Sequence, residues 1–426
     1  MFKLLSLPII LSAVTVLGAM APSSHAAAND SVSFTTTSQA LPYGEQITIA
    51  SKALQVDHRI DVYLPQNYDK HTSIDYPVIY TLDGWTLSQS VSGVVSHMGN
   101  TAAMPKAIVV ALHTPNVWRY LPKLDTKDSG WNINNTAHEN QPYLNFIKQE
   151  LIPYVDKNYR TNDYRVLIGM SPTAIIALDS FIKAPELFNA HYLFAAVDIF
   201  ALGYDEESTL IDSLVTSLKA HPQLKRSLYI ASAQSDFEEN ESHAANAKRL
   251  QKLVSPLMKN RFKLEYLPNT EHYSMAIPAL VSALKLNFPR NELEIFRDLI
   301  AKPGNALKNI EAHYRDLSKK YGFTIYPEPD LNRNVNSFRG IGYVLLGAKR
   351  HQEAMEIFKR WTELSPNEAN AFDSLADAYE SLGKNELALQ AHLQAVSVAK
   401  KLKDPRLAFF KQTLKSFEER RAKHSS

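Results

Sequence analysis

The sequence predicts an α/β protein, a mostly parallel sheet with helices on both faces, followed by an all-α tail. Three observations predict it. Continuous apolar runs such as "KAIVVALH" and "RVLIG" alternate with segments of helical period, as strands buried on both faces alternate with crossover helices. Two earlier stretches, "QITIASKAL" and "HRIDVYLP", alternate apolar and polar residues as an antiparallel pair does. Beyond about Asn305 the strand signals stop and helical periodicity continues to the end. The 426 residues exceed one ordinary core, so about two domains are expected.

Taken in order, residues 1–26 read as a secretory signal. Lys3 gives the positive start, an apolar run follows, and "AMA" (19–21) and "SHA" (24–26) offer cleavage sites. Pro8 interrupts the run, which is short for a membrane span. The expected location is the periplasm, or full secretion, with no membrane contact after cleavage. The α/β part is expected over residues 30–295. It opens with the antiparallel pair, then "YPVIYTLDGW", a buried strand ending in Asp-Gly, and "KAIVVALH". "PYLNFIKQELIPYVDKNY" sets Leu144, Ile147, Leu151 and Tyr154 on one helical face. Then come "RVLIG" with a helix from Ser171, the strands "AHYLFAA" and "SLYIASA", and a helix from about Glu241 to Leu257. "RFKLEYLP" is the last strand, before "NTEHYSMAIPALVSALKLNF".

Residues 296–335 read as a linker helix region, 336–403 as two helical repeats, and 404–426 as a capping helix. Aligning Ala354 with Ala388 sets a period of 34 and pairs Phe338 with Phe372, Ile341 with Leu375, Gly342 with Ala376, and Trp361 with Ala395. This pattern resembles tetratricopeptide repeats. Small residues let paired helices approach, and large ones fill the space between pairs.

Composition narrows the function. The 46 basic and 44 acidic residues give a net charge of +2, which supplies no field to draw nucleic acid or an anionic membrane. There is no cysteine, so no disulfide or thiolate site forms. No group of His and acidic residues has metal-ligand spacing and no glycine-rich phosphate loop is present, so no cofactor is expected.

The chemistry concentrates on "LIGMSPTAIIAL". Ser171 follows a buried strand on a sharp turn and precedes a helix. Two readings compete. Ser with Pro172 behind it is an ordinary helix start, the serine as N-cap and the proline at the first helical position. A serine on a strand-to-helix turn is also a nucleophile. Asp236 follows the strand "SLYIASA", and His272 follows "RFKLEYLP". All three lie just past strand ends, where open parallel sheets build sites. A histidine there takes the serine proton and a carboxylate orients it. Glu238 and Glu239 share the acidic loop and compete with Asp236, which lies soonest after its strand. His243 falls at a helix start and ranks below His272. Trp118, Tyr120 and Trp131 either line an aromatic substrate site or pack their loop down.

The segment "YRTNDYRVLIGMSPTAIIALDSFIKAPELFNAHYLFAAVD" resembles the putative-esterase family of α/β-hydrolases, which includes esterase D-like enzymes and siderophore esterases. Its marks are Arg165, Gly169, Ser171 and Pro185-Glu186-Leu187-Phe188. "YPVIYTLDGW" is similar to the family's Leu-Asp-Gly strand, and "NTEHYSM" to its histidine loop. The likeness covers roughly residues 40–290, and the helical tail resembles tails behind some of these esterases. It implies Ser171 as nucleophile, His272 as base, Asp236 as acid, and an oxyanion and substrate region at Gly84, Trp85 and Met170. It also implies a small-molecule ester or lactone substrate.

Three residues depart from the family pattern. Thr173 replaces a glycine where strand and helix pass closely, and Met170 stands where histidine is frequent. Pro172 has no N–H, so the usual second oxyanion donor is missing, and a proline restricts the preceding serine toward extended conformations. Two functions follow: a serine esterase, slowed or altered at its oxyanion hole, or a silent hydrolase fold that binds a protein partner through its helical repeats.

Overall fold

Alternating and continuous apolar runs fold as their patterns dictate. The structure, a computed structural model, describes residues 44–113, 140–196, 209–238, 241–293, 295–330 and 336–425, which fall in one compact unit. Residues 1–26, Glu239 and the loop carrying Trp118, Tyr120 and Trp131 lie outside the described residues.

The strands are β1 (Glu45–Ser51), β2 (Val56–Tyr63), β3 (Tyr76–Thr81), β4 (Ile108–His113), β5 (Thr161–Met170), β6 (Ala190–Phe194), β7 (Ser227–Ala233) and β8 (Phe262–Leu267). They form one eight-stranded sheet in the order β1-β2-β4-β3-β5-β6-β7-β8. The β1–β2 and β2–β4 pairs are antiparallel and the rest are parallel. The antiparallel entry is where the sequence alternates. The central parallel strands β3, β4 and β6 are buried at every residue, which is why they read as unbroken apolar runs.

Helices cover both faces. On one face lie α1 (Gly84–Asn100) and, late in the chain, α8 (Ala276–Asn287). On the other lie α2 (Asn140–Phe146), α3 (Ile152–Asn158), α4 (Pro172–Lys183), α5 (Thr209–Ala220) and α7 (Glu241–Met258), with the single turn α6 (Gln234–Glu238) before α7. A π turn, Ile147–Leu151, joins α2 to α3 ahead of Pro153. Alternate residues of one strand feed opposite cores: Ile79 and Val109 face α1, whereas Val78 and Val110 face α4.

The tail comprises α9 (Arg290–Leu293), α10 (Phe296–Ala301), α11 (Ala306–Tyr321), α12 (Phe338–Gly347), α13 (His351–Leu364), α14 (Ala369–Ser381), α15 (Asn385–Lys401) and α16 (Leu407–Ser425). It adds one small cluster of its own, around Ala369, Ala395, Val398, Ala399 and Phe410, but otherwise shares the core of the sheet. One apolar cluster runs from Ile79 and Val91 through Leu284 and Phe296 to Phe338, Trp361 and Leu375. A Cβ on Gly342 would lie 2.2 Å from Phe358 Cε1, so this small position lets α12 and α13 touch. Lys106 Nζ meets Glu328 Oε1 at 2.6 Å, with both side chains largely buried. Glu368 accepts from Lys70 at 2.6 Å and from Arg406 at 2.9 Å.

Candidate active site

The site is assembled at the carboxyl ends of the parallel strands. β3 and β5 pair in register, Thr81 with Ile168, and Leu82 N–H extends the ladder to the Ile168 carbonyl at 2.9 Å. Gly84 and Ser171 each follow a paired residue by three, so the two loops leave the sheet side by side.

Ser171 does not cap the helix that follows it. Its backbone sits at φ 52°, ψ −121°, and its side chain makes no capping bond to α4. A left-handed φ on a residue with a Cβ is strained and needs surrounding structure to hold it. Ser171 N–H is anchored to the Phe194 carbonyl at 2.9 Å, and Ala174 N–H to the Ser171 carbonyl at 3.1 Å. Pro172, expected to oppose this conformation, occupies the first helical position instead, where no N–H is needed for the helix. Thr173 is not the liability its bulk suggests. Its hydroxyl accepts from Met170 N–H at 2.7 Å and donates to the Met170 carbonyl at 3.0 Å, clamping the turn. The close crossing falls on Gly169, where a Cβ would lie 2.5 Å from the Thr173 carbonyl oxygen.

The freed hydroxyl enters a chain of hydrogen bonds. Ser171 Oγ lies 2.9 Å from His272 Nε2, and His272 Nδ1 lies 2.8 Å from Asp236 Oδ1. Asp236 is 2% exposed, and its Oδ2 accepts from Ala233 N–H at 3.2 Å. His243 lies 2.6 Å, through Nδ1, from the Asp236 carbonyl, so it holds the acid turn rather than reaching the serine. Gln234 Oε1 accepts from Asn269 N–H at 2.9 Å, tying the acid loop to the histidine loop. The side chain of Glu238 lies outside the described residues, as does Glu239.

Gly84 starts α1 against β4: a Cβ there would lie 2.8 Å from the Leu112 carbonyl oxygen. The N–H of Trp85 belongs to the first turn of α1, where no intrahelical acceptor exists. Its indole is 66% exposed, under the Arg59 guanidinium at 4.6 Å and edge-on to His113 at 5.1 Å. His113 in turn joins Asp61 Oδ2, 2.7 Å from Nε2, to Arg59 Nη2, 2.8 Å from Nδ1. Sequence reading missed Arg59, Asp61 and His113. The signal available was the polar residues Arg59 and Asp61 on alternating β2 and His113 closing the apolar run of β4, beside the Asp-Gly turn. Burial raises the carboxyl of Asp83 in that turn, against bonds from Thr86.

Met170 corrects an expectation. It is 1% exposed and packs in the core, with its N–H held by Thr173, so it faces no open substrate site. Among the described residues, no group of three or more His, Cys, Asp or Glu is placed to hold a metal.

The putative-esterase family model matches residues 51–270, just over half of the chain. The chain belongs to that family. Its function therefore falls among esterases. Among solved structures, an IroE-like serine hydrolase from Shewanella oneidensis is 21% identical, covering 76% of this chain and 99% of its own, with a TM-score of 0.56. An uncharacterised protein from Capnocytophaga ochracea is 17% identical over 87% of this chain and 99% of its own, at a TM-score of 0.53. At these identities the likeness shows the fold, an α/β hydrolase sheet followed by helices. No curated protein matches the chain significantly.

Proposed function

We propose that this esterase-family chain is a serine carboxylic ester hydrolase acting through Ser171, His272 and Asp236. The observation that carries the reading is the strained Ser171 backbone, which directs Oγ to His272 instead of to the helix. In the mechanism, Ser171 Oγ attacks the ester carbonyl while His272 Nε2 takes its proton. Asp236 holds the Nδ1–H tautomer and stabilises the imidazolium. The tetrahedral intermediate collapses, its C–O bond breaks, and His272 returns the proton to the departing alcohol. Water, deprotonated by His272, then cleaves the acyl-enzyme and releases the acid. Trp85 N–H is the proposed oxyanion donor.

The motif resemblance supports lactones of the siderophore type as the substrate class. The N-terminal 26 residues support export to the periplasm, and the 34-residue period supports tetratricopeptide-like packing in the tail. A silent fold that binds a partner through its repeats is the second reading, favoured by the missing N–H at Pro172. Fluorophosphonate labelling read by intact mass tests between them. One adduct is expected on wild type and none on Ser171→Ala or His272→Ala. An unlabelled but folded wild type would sink the esterase reading.

A further inference from the structure

The strand edge that carries Ser171 also presents a cation. His113 pairs with Arg59 of β2 and bridges to Asp83 after β3, so the three lie in one row across the sheet. The next strand in that row is β5, with Ser171 just past its end. Three strand spacings put the Arg59 backbone roughly 14 Å from the serine turn. Trp85, in the first turn of α1 after β3, falls between them.

Arg59 is held in place without being paired to a carboxylate. A guanidinium only donates, so His113 Nδ1 accepts from Arg59 Nη2 at 2.8 Å. His113 Nε2 therefore carries the proton and donates it to Asp61 Oδ2 at 2.7 Å. The other oxygen of Asp61 accepts from Gln46 Nε2 at 3.0 Å. Asp83 is bonded to Thr86, and burial raises its carboxyl. Among the described residues Arg59 forms no ion pair.

What remains of Arg59 faces outward beside the catalytic edge. Its Nη1 donates to none of the described residues and, unlike Nε, is not sealed from solvent. The guanidinium lies over the indole of Trp85 at 4.6 Å, and that ring stays 66% exposed. A second exposed ring, Tyr273, stands edge-on to His272 at 5.0 Å. An open indole beside a guanidinium offers a flat apolar surface and a charged planar donor together. A carboxylate is the acceptor that such a donor binds most strongly.

We infer that Arg59 and Trp85 form an anchoring subsite that selects esters carrying a carboxylate beside a flat apolar group. The inference rests on the esterase reading of Ser171 and narrows its substrates. The carboxylate meets Arg59, the flat group lies on Trp85, and the ester carbonyl reaches Ser171. Asp61 and His113 are positioning residues that fix the guanidinium.

Two 4-nitrophenyl esters of terephthalic acid test it, one with the second carboxyl free and one with it as the neutral amide. Wild type is expected to favour the free acid by about tenfold or more in kcat/KM, the scale of one hydrogen bond to a charged group, with the difference in KM. Arg59→Met should bring that ratio to about one, and Arg59→Lys should keep part of it. Arg59→Gln replaces the methionine variant if that one does not fold. Labelling of Ser171 with a fluorophosphonate runs alongside. A labelled wild type with a ratio near one, or a ratio unaltered in the neutral variant, overturns the subsite and leaves the esterase reading standing. An unlabelled wild type overturns the esterase reading itself. In that case, or if neither ester turns over, calorimetric titration with benzoate against benzamide decides the subsite. Benzoate bound more tightly, and only with Arg59 present, upholds it; equal binding or none overturns it.

Discussion

Pro172 deprives the Ser171 turn of an N–H that, in the proposed mechanism, would help hold the oxyanion, yet the turn itself is intact. The Thr173 hydroxyl clamps Met170 on both sides, and Gly169 yields the space that the helix needs. Geometry and donor count are therefore separable here, and one substitution separates them. Pro172→Ala is expected to raise kcat by about 100-fold, the effect of one oxyanion donor. Steady-state rates on a nitrophenyl ester measure it, and an unchanged kcat would mean that another group already fills the role. Asp236→Asn is expected to lower kcat by roughly 10⁴-fold, because the amide presents an N–H to the wrong imidazole tautomer. The serine, histidine and acid were legible because each lies just past a strand. The Thr173 clamp was not, since a hydroxyl's reach to Met170 exists only once the turn is closed. Nor was the Asp61–His113–Arg59 network beneath Trp85, whose members lie 52 and 54 residues apart in the chain.

At the scale of elements, every strand read from the sequence is present, because burial on both faces forces an apolar run and burial on one forces alternation. Helix α5 went unread although Ile211, Leu214 and Leu218 are buried along one face. Its signal was there, but no motif drew attention to it. Where β5 crosses α4, one residue sets the distance. A Cβ on Gly169 would meet backbone, the Thr173 carbonyl at 2.5 Å and Ala174 Cα at 2.8 Å, neither able to swing aside. Gly169→Ala is thus expected to destabilise by about 1–3 kcal/mol through overpacking. It should also loosen Ser171, so that labelling slows before folding is lost. Urea titration alongside labelling rates checks both, and a variant with wild-type stability would show that the crossing has slack.

Over the whole molecule, sheet and tail share a core, and they also share a sensitivity to acid. Three histidines are buried in environments that disfavour charge. Burial, then His113, lowers His58 to about 4. Burial, then Lys106, Lys70 and Arg160, lowers His71 to about 3. Burial, then Arg226, lowers His191 to about 3. Each stays neutral when folded below the pH at which the unfolded chain protonates, near 6.5. Stability is thus full above that pH and falls as pH drops toward 3–4, because the unfolded state binds more protons. Glu368 acts in the same direction. Burial would raise it, but bonds from Lys70 and Arg406 hold it below the usual range, so its contribution is lost when it protonates. Asp377, raised to about 6 by burial and then Asp373, opposes the trend, since its contribution is present at low pH and lost as pH rises. Asp83, Glu328 and Asp330, which burial raises, oppose it as well, and the histidines prevail by the size of their shifts: even one unit each is about 4 kcal/mol, a large share of a stability of roughly 5–15 kcal/mol. Acid unfolding is therefore expected to begin below about pH 6 and to finish near pH 4. His191→Phe, which keeps the ring between Phe181 and Phe188, removes one titrating group. It should flatten the fall in urea stability between pH 6.5 and 4 by at least about 1 kcal/mol. A slope equal to wild type would show that His191 gains its proton without unfolding.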